Sequence, residues 1–100
     1  MKRHTYIVVF NADQGDWSDA QYNVGSVIDQ TYRSLVNDRL SNGDVTTVST
    51  TLSDDGLTLN VVRDWEEPAN DEWLALSYDL VADVESLSTV TSCTHDVATV

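Results

Sequence analysis

Few residues in this chain are placed to do chemistry, and the first pair to weigh is Cys93 with His95. Two positions apart on a strand, they would point to the same face, as a thiol nucleophile and its base must. The other histidine, His4, lies near the opposite terminus, and no glycine-rich turn or separate oxyanion motif accompanies Cys93. A core cysteine and a surface histidine are therefore the expected reading. Asp13, Asp16 and Asp19 recur every third residue. An EF-hand instead needs acids at alternating positions, a central glycine and a closing glutamate, so the segment reads as a loop leading into a helix cap. One cysteine and two histidines cannot fill a closed zinc site without carboxylates. No phosphate-binding glycine loop, nucleophile elbow or zinc-protease helix is present, and nothing selects one carboxylate pair for hydrolysis. The expectation is a protein with no catalytic residues, no metal and no cofactor.

Charge is the outlying property. Seventeen acids against five bases give a net charge of −12 over 100 residues. Residues 1–63 hold eight acids and all five bases, whereas residues 64–100 hold nine acids and no Lys or Arg. Asp64, Glu66, Glu67, Asp71 and Glu72 crowd around Trp65 and Trp73, and Glu72, Asp79 and Asp83 follow at helical spacing. At 1.5 Å of rise per residue, the last three would stand about 6–10 Å apart along a helix axis. Carboxylates so arrayed can imitate a phosphate backbone. Such a surface repels nucleic acid and anionic membrane and complements a basic protein surface. Two plainer readings compete. A solvated helix face carries acids for solubility, although such faces usually mix both signs. Thirteen Asp, one Lys and Thr-rich segments also suit a protein kept hydrated in concentrated salt, but Glu is scarce and the charge lopsided.

The elements that must position these residues can be read from periodicity. The length fits one domain, with 41% hydrophobic residues to supply a core. Residues 4–10 form a near-continuous apolar run, expected as a central strand buried on both faces. Asn11 to Asp16 break the pattern as a loop. Ser18 and Gln21 make a capping box, and Trp17 and Tyr22 a hydrophobic staple. Val24, Ile28, Thr31, Leu35, Val36 and Leu40 then recur along one helical face until Gly43 offers a left-handed stop. Residues 45–52 are rich in β-branched side chains. Asp54-Asp55-Gly56 signals a hairpin, and a half-buried strand returns to about Arg63. A second helix starts near Asn70 or Asp71, with Trp73, Leu76, Leu80, Val84 and Leu87 on its inner face. A last strand falls within residues 89–99. The order βαββαβ predicts a ferredoxin-like α+β sandwich over residues 1–100, an antiparallel sheet with two helices on one face. The rival is an α+β roll in which residues 88–100 form a frayed tail.

One cysteine allows no internal disulfide, and residues 1–20 contain no signal-like apolar segment, so a cytoplasmic setting is expected. In size, charge and lack of motifs the chain resembles small acidic inhibitors made by phages and mobile elements. Among these are DNA mimics that act on restriction enzymes, CRISPR effectors or DNA-binding host proteins. The resemblance implies a non-enzymatic inhibitor that occupies the basic surface of a nucleic-acid-binding protein. Asp64, Glu66, Glu67, Asp71, Glu72, Asp79 and Asp83 would be the contact acids and Trp65 an aromatic anchor. The alternative is a structural or regulatory subunit that pairs with itself through its sheet as a homodimer.

Overall fold

Alternation along the first strand sets the architecture. In β1 (Lys2–Phe10), His4, Tyr6, Val8 and Phe10 are buried while their neighbours are not. The computed structural model describes residues 1–16, 20 and 30–100, the side chains of residues 30–33 aside. After β1 come α1 (Gln30–Asn42), β2 (Val45–Leu52), β3 (Thr58–Trp65), α2 (Ala69–Glu85) and β4 (Val90–Thr99). The strands form one antiparallel sheet in the order β2-β3-β1-β4, which puts β1 in the interior beside both β3 and β4. Residues 88–100 are no frayed tail, since β4 pairs with β1 from Lys2↔Thr99 to Phe10↔Val90. This is the ferredoxin-like βαββαβ sandwich.

Local chemistry explains the junctions. Gly43 has φ +80°, and its N–H bonds Leu40 O while Asp44 N–H bonds Arg39 O. These two bonds are a Schellman stop, which needs the left-handed residue that glycine supplies without strain. Gly56 closes the β2–β3 hairpin at φ +73°, and an added Cβ there would also run into the side chain of Asp13. The helix start assigned to Trp17, Ser18, Gln21 and Tyr22 lies outside the described residues, as do Val24, Ile28 and the side chain of Thr31. Further along, Leu35 and Val36 pack against the core, but Leu40 is largely exposed at the helix end.

One expectation is corrected. β1 is central but not buried on both faces: Ile7 is exposed and Arg3, Thr5 and Val9 are partly so. Both helices lie on one side of the sheet and contact each other, Arg39 of α1 pairing with Glu72 of α2 at 2.5 Å. Among the described residues no helix covers the opposite face. The long apolar run reflects a central position flanked by strands on each side, not two covering layers.

Helix α2 is seated by aromatic packing. Trp73 stacks on Trp65 with centroids 4.9 Å apart and planes 9° from parallel. Its indole N–H donates to the Tyr6 hydroxyl at 2.9 Å. Removing so large a buried ring leaves a cavity and takes from the Tyr6 hydroxyl one of its two hydrogen bonds. Trp73→Ala is expected to cost about 3–5 kcal/mol of stability in urea denaturation. Asp79→Ala, on the exposed side of the same helix, should stay within about 0.5 kcal/mol.

Candidate functional site

The rotation of α2 sorts its side chains. Trp73, Ser77 and Val84 face the sheet, so Glu72, Asp79 and Asp83 project from the other side and all three are exposed. Glu66 and Glu67 precede the helix, Asp71 lies in its first turn with Glu72, and all are exposed. Six of the eight residues expected at the partner surface therefore lie on or at the start of one helix. Glu72 is paired with Arg39 of α1, which also holds Asp38.

The other two are placed elsewhere. Asp64 sits opposite Arg3 on the open face of the sheet. Its carboxylate takes both Arg3 Nε (2.8 Å) and Nη2 (3.0 Å), a bidentate fork that holds its pKa below the usual carboxylate range. It is buried and committed within the chain. Trp65 is not a surface anchor either. It closes β3 at 1% exposure, stacked on Trp73 and edge-on to His4. The acids that follow it in sequence belong to the turn into α2, while alternation along β3 turns its own ring under that helix.

A second constellation lies beneath α2, and sequence reading missed it. His4 is fully buried. Its Nε2 lies 2.6 Å from Asn70 Oδ1 and its Nδ1 2.7 Å from His95 Nε2. Asn70 Nδ2 donates to Glu67 Oε1 at 3.2 Å, which fixes the amide with its oxygen toward His4. That oxygen accepts, so His4 Nε2 carries the hydrogen and His4 Nδ1 receives one from His95 Nε2. Neutral His95 is left with Nδ1 as an acceptor. The polarity of the whole row is thus set by a single carboxylate, Glu67. Beside it, Tyr6 lies 3.1 Å from Ser77 Oγ, which donates to Trp73 O. The signal was present: His4 shares the period-two face of Tyr6, Val8 and Phe10.

Environment decides what these groups can do. Burial, with His4 adding repulsion, lowers His95 to about 4. Burial lowers His4 as well, and pushes Tyr6 up to about 12 and Cys93 up to about 11. His95 is half-buried, stacked on Tyr6 at 4.3 Å and on His4 at 4.9 Å. It is not the surface histidine expected. Cys93 is buried as expected. A thiol held this high stays protonated near neutrality, and an imidazole this low is a weak base there. The arrangement suits internal hydrogen bonding better than a nucleophile with its base. Among the described residues no helix is long and apolar enough to cross a membrane.

No protein-family model matches the chain, and no curated protein matches it. Among solved structures it is similar to the C-terminal domain of the MgtC protein from Mycobacterium tuberculosis, at 18% identity over 97% of this chain and 86% of that one, with a TM-score of 0.45. It is also similar to a de novo designed protein with ferredoxin fold, at 19% identity over 99% of this chain and 86% of that one, again with a TM-score of 0.45. These likenesses concern fold alone.

The histidine row makes stability pH-dependent. His95 titrates near 6.5 when unfolded and about 4 when folded, so the unfolded chain binds the proton first as pH falls. Its contribution is complete above 6.5 and is lost progressively down to about 4. Thermal melts of wild type and His95→Gln across that window should show a shallower decline in the variant. Carboxylate titration is common to both chains and cancels in the difference.

Proposed function

We propose that this chain is a non-enzymatic binding protein that occupies a basic, nucleic-acid-binding surface of another protein, its α2 carboxylates standing where phosphates would lie. One observation carries the reading. Glu66, Glu67, Asp71, Glu72, Asp79 and Asp83 are all exposed on or beside one helix, within a stretch that contains no Lys or Arg. A face serving solubility alone has no need to exclude cations for 37 residues. Along the axis Glu72, Asp79 and Asp83 are separated by about 10 Å and then about 6 Å, a rigid spacing that a flexible acidic tail would lack.

The mechanism is electrostatic. Opposite fields steer the encounter, and the carboxylates displace nucleic acid from the groove they fill. Both effects weaken as salt screens the charges. In its narrower form the proposal makes the chain a phage- or mobile-element-encoded inhibitor of a restriction or CRISPR nuclease, acting in the host cytoplasm. The charge and the compositional resemblance to such inhibitors support that form.

Tagged protein should retain one nucleic-acid-binding protein from bacterial lysate, released by a salt gradient and competed by duplex DNA. In the fourfold variant Glu66→Gln, Glu67→Gln, Glu72→Gln, Asp79→Asn, affinity for that protein should fall by roughly fourfold to several hundredfold. This corresponds to about 0.2–1 kcal/mol for each exposed pair. Far-ultraviolet circular dichroism should remain that of the wild type. Undiminished affinity in the variant contradicts the proposal.

A further inference from the structure

The flank of α2 away from the acidic stripe has different chemistry. Leu74, Tyr78 and Val81 recur there at helical spacing, and with Ser77, His95 and Val97 they line an open groove of about 290 Å³ above β4. The apolar surface is large for so acidic a molecule: Tyr78 is 83% exposed, Leu74 40%, Val97 38% and Val100 60%. The groove runs along β4, which is an edge strand. β4 pairs with β1 on one side, and among the described residues no strand pairs with the other.

We propose that this edge is the interface of a homodimer. β4 pairs antiparallel with β4 of a second copy across a two-fold axis, joining two four-stranded sheets into one of eight. The Leu74–Tyr78–Val81 flanks of the two α2 helices meet over the seam.

Three observations select a second copy as the occupant. First, an exposed strand edge is a template for pairing, and monomeric proteins blunt theirs with lysine, proline or a bulge. β4 contains no Lys and no Pro. Its one register shift lies at its start, between Val9 and Phe10 of β1, which leaves Ser92–Thr99 regular.

Second, a two-fold interface must be self-complementary, with the same patch on both sides. An antiparallel strand edge bordered by its own apolar helix flank meets that condition. Continuing the sheet places both α2 helices on the same side, where neither copy alone covers Leu74 and Tyr78.

Third, two copies each carrying −12 can meet only where acids are few. On this edge the charged residues are Asp96, which alternation turns to the open face of the sheet, and Asp71 and Glu85, in the first and last turns of α2, with no charge on the flank between them. The acids at Glu72, Asp79 and Asp83 lie on the other flank. The β2 edge likewise has no Lys or Pro, but it differs in two other respects. It is bordered by Asp44 at one end and by Asp54 and Asp55 at the other, and a register shift between Thr47 and Ser49 interrupts it.

The proposal is independent of the acidic-face function and reads out with the opposite salt dependence. Salt screens the repulsion between copies, so self-association should tighten as ionic strength rises, whereas binding to a basic partner loosens. Sedimentation equilibrium of the full chain should give twice the 11.1 kDa monomer mass. The double variant Leu74→Glu, Tyr78→Glu replaces one partly exposed and one largely exposed side chain and should run as a folded monomer by the same measurement and by circular dichroism. Amide exchange along β4 should slow as wild-type concentration rises and stay fast in the variant. The fourfold acid-neutralised variant should remain dimeric. A wild-type chain that stays monomeric into the millimolar range overturns the proposal, including one that instead captures an added strand-forming peptide. So does a dimer that persists unchanged in the double variant, or one that is lost on neutralising the acids.

Discussion

The stack of Trp73 on Trp65 is the contact on which the rest of the molecule depends. A helix lying on a sheet can roll about its own axis, and apolar contacts alone limit that rotation weakly. Here the indole planes lie 9° from parallel, and Trp73 Nε1 is tied to the Tyr6 hydroxyl. Rolling the helix would break the stack and the hydrogen bond together. The consequence is felt on the far side of α2. With Trp73, Ser77 and Val84 held inward, Glu72, Asp79 and Asp83 emerge on one flank and Leu74, Tyr78 and Val81 on the other. One helix thus presents two surfaces of different chemistry, separated by less than half a turn of its circumference.

The histidine row completes this anchoring at the N-terminal end of the helix. Asn70, one turn before Trp73, reaches His4 of β1, which in turn reaches His95 of β4. Three elements are joined by neutral groups in a region where a charge would be poorly solvated. The lowered pKa of both imidazoles follows from that burial, and the direction of each hydrogen bond follows from Glu67. Glu67 therefore belongs to two systems, the exposed acids and the buried row. Converting it to Gln preserves its carbonyl as an acceptor for Asn70 while removing its charge.

Much of the fold was legible because its signals are local. The β-branched run gave β2 with both boundaries, Asp54-Asp55-Gly56 gave the hairpin, and Gly43 gave the end of α1. Alternation and helical spacing then gave the βαββαβ order and the inner face of α2. What escaped were consequences of assembly. Trp65 lies among acids in sequence, but whether a ring at a strand end turns inward depends on the helix that covers it. Asp64 was counted with its acidic neighbours, yet its partner Arg3 is distant in sequence and adjacent only through β1–β3 register. The apolar flank of α2 escaped for a related reason. Leu74, Tyr78 and Val81 become a surface only once β4 is known to be an edge.

The central claim is that the acids of α2 act as one rigid electrostatic face, distinct from the general acidity of the chain. It is tested most directly by following backbone amide shifts by NMR as a short oligoarginine peptide is added. The account predicts shifts concentrated at Glu66, Glu67, Asp71, Glu72, Asp79 and Asp83, with little change at the Asp54–Asp55 turn or along β4. Shifts spread evenly over every exposed acid, the hairpin turn included, would contradict it.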